Sequence, residues 1–143
     1  MRVESKDNLL RDCSVQVYDC TQQKELILER IKEALKGKST YSCLFLFTER
    51  LNEQTEIILV TMGGDGMLGV FVDDISKDSY IAENMNHLIF VPLPYGTGND
   101  ISRSVGWGHR EGPWGRDLDS LVSSLMKAEK DYFTIWDVNI YAK

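Results

Sequence analysis

The chain has 143 residues, of which 43% are hydrophobic and 27% charged, a balance typical of one globular domain and unlike that of a disordered chain. Its formal net charge of −6 argues against binding to nucleic acid, because neutralising that backbone requires a surplus of Lys and Arg on one face. The three cysteines are odd in number and lack a CxxC spacing, which argues against a disulfide framework or a zinc site and favours buried free thiols.

Two features of the sequence bear on location and domain organisation. No apolar run is long enough to cross a bilayer, and residues 1–7 lack the hydrophobic segment of a secretory signal, so we expect a cytoplasmic protein. Residues 1–13 are polar without a clear period and are predicted to be a flexible or poorly ordered lead-in. No repeat, low-complexity segment or linker divides the remainder, so residues 14–143 are predicted to form a single domain.

The first predicted elements are a strand and a helix. Residues 14–18 alternate like a strand, and Asp19 or Thr21 is the predicted cap of the helix that follows. This helix runs to about Lys36, carries an apolar face, and has Gly37 as its predicted C-terminal stop.

The middle of the chain alternates between strands and helices. Residues 43–47 form a short apolar run consistent with a strand, and residues 57–60 are continuously apolar, as in a parallel strand covered on both faces. Apolar residues at helical spacing over 68–75 predict a helix. Residues 88–91 predict another strand, and 101–105 a short helix.

The last predicted elements are a helix and a strand separated from the preceding helix by a Gly-rich surface loop. Asp117 is the predicted cap of the helix, and residues 132–141 alternate between apolar and polar residues like a strand with one polar face. Strands alternating with helices predict an α/β fold: a doubly wound, mostly parallel sheet with helices on both faces.

Two loops share one construction, in which an apolar strand leads into a Gly-rich turn containing an aspartate, and a helix follows. The first glycine loop, residues 63–66, reads Gly-Gly-Asp-Gly, and the second glycine loop, residues 94–100, reads Pro-Tyr-Gly-Thr-Gly-Asn-Asp. In an open parallel sheet, ligands bind beyond the carboxyl ends of the strands, where the helix N-termini favour phosphate.

Glycine suits such loops because the absence of a Cβ lets backbone amides approach phosphate oxygens. An aspartate would repel phosphate, so its plausible roles are to hold Mg²⁺ or its waters, or to accept a proton from an attacking hydroxyl. Either loop alone is more often a tight turn. Two loops of this construction behind successive buried strands favour a phosphate site.

The combination of these loops resembles a known family. Gly-Gly-Asp-Gly at 63–66 followed by Leu-Pro-Tyr-Gly-Thr-Gly-Asn-Asp at 93–100 is similar to the signature of the diacylglycerol, sphingosine and ceramide kinase superfamily. Val-Gly-Trp-Gly at 105–108 and Trp-Asp at 136–137 resemble the eukaryotic diacylglycerol kinase catalytic domain in particular. The resemblance covers about residues 14–143.

The resemblance implies the nucleotide-binding half of an enzyme that transfers the γ-phosphoryl group of ATP to diacylglycerol. It implies that the following residues contact nucleotide phosphates or shape the loops around them: Gly63, Gly64, Gly66, Gly96, Thr97, Gly98 and Asn99. It implies that three aspartates hold Mg²⁺ through water, as in bacterial members: Asp65, Asp100 and Asp137. Asp65 is also the implied catalytic residue.

Each of these side chains could instead have a structural role. Asp65 could bond its own turn, and Asp100, in the first turn of a helix, is as readily a cap as a metal ligand. Trp107 and Trp136 are predicted to be packing anchors. His109 is predicted to be a solvated loop residue.

Three departures from the family pattern limit what the resemblance implies. Residues 1–13 contain no Asn-Pro-x-Ser-Gly phosphate loop, and Met67 occupies a position that is usually threonine, whose hydroxyl can donate to phosphate. The chain ends at Lys143, where the family's β-rich domain would begin. We therefore expect no lipid kinase turnover from these residues alone, with membrane contact transient and through regions outside this sequence.

Two alternatives to this function can be weighed against the sequence. A non-catalytic interaction or regulatory module could retain a degenerate nucleotide pocket, as Met67 and the missing phosphate loop suggest. Another kinase carrying Gly-Gly-Asp-Gly, such as an NAD kinase, is a further option, but those kinases lack the Gly-Thr-Gly-Asn-Asp and Trp-Gly that follow here at 96–100 and 107–108.

Overall fold

The computed structural model describes residues 17–37, 46–51, 54–110, 112, 115–136, 138, 140 and 141. Its elements in chain order are helix α1 (Lys24–Leu35), strands β1 (Leu46–Leu51) and β2 (Gln54–Gly63), helices α2 (Asp65–Ser76) and α3 (Ser79–Glu83), a 3-10 turn (Met85–His87), strand β3 (Leu88–Pro94), and helices α4 (Asp100–Ser104) and α5 (Leu118–Leu125). The predicted lead-in, residues 1–13, lies outside the described residues.

The described strands form one sheet in the order β1-β2-β3. Strands β2 and β3 are parallel, and their register pairs Gly63 with Pro94, so the two strands end side by side. Strand β1 is antiparallel to β2, because only two residues separate the two strands and so short a connection reverses the chain. The α/β fold is confirmed, with one parallel and one antiparallel pairing among the described strands.

Helices cover both faces of this sheet. Along β2 successive side chains point to opposite faces, so Ile57 and Leu59 enter one core while Val60 enters the other. The first core includes buried residues of α1, α2 and α3: Ile27, Ile31, Ala34, Phe71, Ile75 and Ile81. The second includes buried residues of β3 and α5: Val91, Leu93, Leu121, Val122 and Leu125. The predicted two-sided packing is confirmed.

The ends of α1 match the sequence only in part. Gly37 ends the turn after the helix with φ +64°, and its N–H donates to the Ala34 carbonyl at 3.0 Å, as predicted. The predicted cap is wrong, because Gln23 precedes the helix and the Asp19 carboxylate instead accepts from the N–H and hydroxyl of Thr21. A local Asx turn competes here with capping.

Two sequence-predicted strands differ from the structure. Of the strand predicted over residues 14–18, residues 17 and 18 have no regular secondary structure, and residues 14–16 lie outside the described part. Residues 43–45 of the next predicted strand, over 43–47, also lie outside it. The predicted strand over 132–141 is wrong for its described residues, which form no strand and are exposed. Alternation creates a strand only where a partner covers one face, and no described element does so.

The two tryptophans predicted as packing anchors have different outcomes. Trp107 packs against the second core, as predicted. Trp136 is 82% exposed, so its prediction as a packing anchor is wrong.

Within the described ranges, no helix combines the length and apolar content needed to cross a bilayer.

Ion pairs fasten α1 to the helices beside it. Lys24 Nζ lies 2.6 Å from Asp74 Oδ1 of α2, and Lys32 Nζ lies 2.8 Å from Asp78 Oδ2. Asp78 also caps α3 by accepting from the Ile81 N–H. The hydrogen bond from Lys32 and then the backbone hydrogen bond from Ile81 lower the pKa of Asp78 below its ordinary value of 3.8.

We predict that acid weakens the fold partly through Asp78. Because its pKa is lower in the folded state, its stabilisation is fully present above the unfolded value near 3.8 and is lost as pH falls through the folded pKa. Urea denaturation at a series of pH values should therefore show a shallower loss of stability below about pH 4 in Asp78→Asn than in the wild type. Asp131→Asn, in the exposed C-terminal segment, is the control and should follow the wild-type curve. Equal acid sensitivity of Asp78→Asn and wild type would contradict the prediction.

Candidate functional site

The two glycine loops meet at the edge of the sheet where β2 and β3 end. The Tyr95 N–H donates to the Gly63 carbonyl at 3.3 Å, and the Asp65 N–H donates to the Gly98 carbonyl, also at 3.3 Å. This arrangement follows from the parallel register, which brings both strand ends to one position. The structure therefore brings together the described members of the predicted site.

Close packing between the loops explains two of the glycines. A Cβ on Gly96 would lie 2.2 Å from the Cα of Gly64, and a Cβ on Gly64 would lie 2.8 Å from the carbonyl oxygen of Gly98. These distances are well inside van der Waals contact with backbone atoms that cannot move aside. Gly64 and Gly96 are thus required for the loops to approach each other, whatever binds there.

Gly66 is different, because a Cβ at this position would have nothing within 4 Å. Gly66 is exposed in the first turn of α2. The fold itself gives no reason for a glycine here, and a requirement for glycine would have to come from a ligand.

The Asp65 carboxylate links the first glycine loop to α4. Its Oδ2 accepts from the Asp100 N–H at 2.9 Å, and its Oδ1 accepts from the Ile101 N–H at 3.0 Å. These are first-turn amides that lack partners within the helix. Asp65 therefore caps α4 from a loop distant in sequence, rather than bonding its own turn.

Asn99 precedes α4 but directs its side chain elsewhere. It is only 4% exposed, and its Oδ1 accepts from the Gly96 N–H at 3.0 Å. Its Nδ2 donates to the carbonyl oxygens of Gly96 at 2.8 Å and His109 at 3.0 Å. Asn99 thus fixes the shape of the second glycine loop and ties it to the loop that follows α4.

The structure describes two of the three predicted metal ligands, Asp65 and Asp100. Asp100 is exposed beside Asp65, and its Oδ1 lies 3.1 Å from Arg103 Nη2. Asp137 lies outside the described residues. Among the residues that the structure does describe, no group of three or more His, Cys, Asp or Glu side chains is arranged to hold a metal ion.

An open cleft with a volume of about 430 Å³ adjoins the second glycine loop. Its lining residues are Pro94, Tyr95, Gly96, Thr97, Asn99, His109 and Arg110. Sequence reasoning treated His109 as a solvated loop residue and did not single out Arg110. A basic pair in a Gly-rich loop after α4 was the available signal, but only the fold places it at this cleft.

A second cavity, of about 150 Å³, lies between α1 and α2 and is lined mainly by apolar groups. It adjoins the first glycine loop through Met67, whose Sδ accepts from the Cys20 thiol at 3.3 Å. Met67 therefore belongs to the wall of this cavity. Cys20 is a half-buried free thiol, while Cys13 and Cys43 lie outside the described residues.

We predict that Gly96→Ala destabilises the protein by about 3 kcal/mol, because the added methyl group overlaps the Gly64 backbone. Gly69→Ala is the matched control, since its Cβ meets nothing within 4 Å and it lies in the interior of α2. Replacing a helical glycine should stabilise the protein by roughly 0.5–1 kcal/mol. Chemical denaturation measures both changes, and equal stability of the two variants would disprove the loop contact.

We also predict that Asp65→Ala costs about 1–2 kcal/mol of folding stability without any ligand, because two amides of α4 lose their acceptor. Asp100→Ala removes only an exposed ion pair and should cost roughly 0.5 kcal/mol or less. Denaturation of both variants in ligand-free buffer is the measurement. A smaller loss for Asp65→Ala than for Asp100→Ala would rule out the cap.

Comparison with known proteins agrees with the loop motifs. The family model described as the diacylglycerol kinase catalytic domain matches residues 11–133. Diacylglycerol kinase 4 from Arabidopsis thaliana is 35% identical over 102 residues, which cover 65% of this chain and 18% of that protein. Diacylglycerol kinase 1 from the same plant is 32% identical over 84 residues, which cover 57% of this chain and 11% of that protein.

The chain therefore spans less than a fifth of the length of these two relatives. No solved structure gives a significant match. The family match includes both glycine loops, the cap formed by Asp65 and the cleft beside Arg110. The chain belongs to the diacylglycerol kinase catalytic domain family.

Proposed function

We propose that this chain is the ATP-binding part of a diacylglycerol kinase, in which the two glycine loops hold the nucleotide phosphates for transfer to diacylglycerol. The observation that carries the proposal is the contact between the loops at the common end of β2 and β3. Ligands of open α/β sheets bind at this edge. Membership of the family and the names of its relatives supply the reaction class.

The phosphates are proposed to lie against the first turn of α2. This helix has 12 residues and begins at Asp65, so the positive end of its dipole faces the loop junction. Open space at Gly66 leaves the backbone accessible to an anion. Gly63, Gly98 and Thr97 would border the same phosphates.

A divalent cation is proposed to offset the charge between the aspartates and the phosphates. Mg²⁺ prefers oxygen ligands and usually retains several waters, so it would be held through water by Asp65, Asp100 and Asp137. Each Asp65 oxygen accepts one backbone N–H and retains further acceptor capacity for such a water. When bound, Mg²⁺ would neutralise charge on the transferred phosphoryl group.

The chain's own contribution to phosphoryl transfer would be positioning. Asp65 is fixed by two hydrogen bonds to α4, and the loop amides are fixed by the contacts between glycines. Donors held in place need no reorganisation as charge develops, which is how such sites lower a barrier. The base of the nucleotide is proposed to enter the apolar cavity beside Met67, because a flat, weakly polar ring suits such a lining.

A non-catalytic regulatory module is the second candidate function. The observation that favours it is the contact between Met67 and Cys20, since a thioether there offers phosphate no hydrogen-bond donor. The loops would then serve only to join β2, β3 and α4.

Binding of Mg-ATP to Gly66→Ala distinguishes the two functions. This variant should fold normally, because its Cβ has open space, yet bind Mg-ATP roughly tenfold more weakly, because the methyl group would occupy the phosphate position. Gly69→Ala, three residues along the same helix, should bind like the wild type. Calorimetric titration is the measurement. Equal affinities of Gly66→Ala and Gly69→Ala would contradict the phosphate position, and no Mg-ATP binding by the wild type would favour the regulatory module.

A further inference from the structure

The loop after α4 brings two basic residues to the cleft beside the second glycine loop. Gly106 and Gly108 have φ values of +89° and +90°, a left-handed conformation that reverses the chain at low cost only for glycine. The Trp107 N–H donates to the Ser102 carbonyl at 2.8 Å, which fastens the turn to the end of α4. The chain then returns along the second glycine loop at His109 and Arg110.

The backbone of this segment is held on a buried side chain. The His109 carbonyl accepts from Nδ2 of Asn99, which is itself bonded to both polar groups of the Gly96 backbone. The position of the basic pair is therefore coupled directly to the shape of the second glycine loop. The His109 and Arg110 side chains remain exposed while lining the cleft with Thr97.

The charges around the cleft differ in their availability to a ligand. Arg103, in α4, is 3.1 Å from Asp100 and is partly neutralised by it. Arg110 forms no ion pair with those acidic side chains that the structure describes. A guanidinium group has five N–H donors in a planar fork that matches phosphate oxygens and stays charged at every relevant pH.

We propose that Arg110, assisted by His109, contacts the phosphate groups of the ligand and supplies a cation that the two glycine loops lack. This inference rests on the proposed function. The ligand chemistry is that of a polyphosphate anion, and the protein's net charge of −6 makes a local cation important for attracting it. Arg110 would thus act as a binding and positioning residue outside both glycine loops.

The test compares Arg110→Ala with Arg116→Ala, an exposed arginine that does not line the cleft. Mg-ATP and inorganic pyrophosphate are titrated separately into each variant and the wild type. Arg110→Ala should weaken both affinities roughly tenfold or more, because a charge-assisted hydrogen bond is lost. Arg110→Lys, which keeps the charge but loses the fork, should fall between Arg110→Ala and the wild type. Thermal unfolding checks that each variant is folded.

The two probes separate failure of this inference from failure of the proposed function. If the wild type binds Mg-ATP and Arg110→Ala binds it equally well, the role of Arg110 is wrong while the nucleotide site stands. If pyrophosphate binds in an Arg110-dependent way but Mg-ATP does not bind, the anion subsite stands and the nucleotide proposal fails. Binding of neither probe by the wild type would overturn both.

Discussion

The site depends on one interaction, in which the Asp65 carboxylate accepts hydrogen bonds from two backbone N–H groups of α4. It joins the end of β2 to the element after β3, and it forms only because the facing loops approach with no Cβ between Gly64 and Gly96. A capping carboxylate normally comes from the residue that precedes the helix. Here that residue is Asn99, whose amide is used to shape its own loop.

This arrangement gives several motif residues a structural role independent of any ligand. Loss of activity on changing Asp65, Gly64 or Gly96 would not by itself identify a ligand contact, because each change also disturbs the junction of the loops. Gly66 and Arg110 are more informative positions, since both are exposed and neither has a described packing role. The same fold thus separates residues that build the cleft from residues that remain available to a ligand.

The sheet sets the position of this junction. β2 delivers side chains to cores on both of its faces, which explains its continuously apolar stretch at residues 57–60. The packing of α2 against one face directs its N-terminus to the strand ends. The ion pairs from α1 to Asp74 and Asp78 hold the outer helix against this layer. The family match over residues 11–133 includes every described element from α1 to α5.

The α/β class and the helices after each glycine loop could be predicted from the sequence, because they follow from local periodicity. The sequence also predicted the meeting of the two loops, because neighbouring parallel strands end at the same edge of a sheet. It did not determine the strand over 132–141, since alternation is only a preference until a partner covers one face. The role of Asp65 as a cap, the burial of Asn99 and the placement of Arg110 at the cleft were decided by tertiary structure alone. Each depends on contacts between segments far apart in the chain, and no local pattern records such contacts.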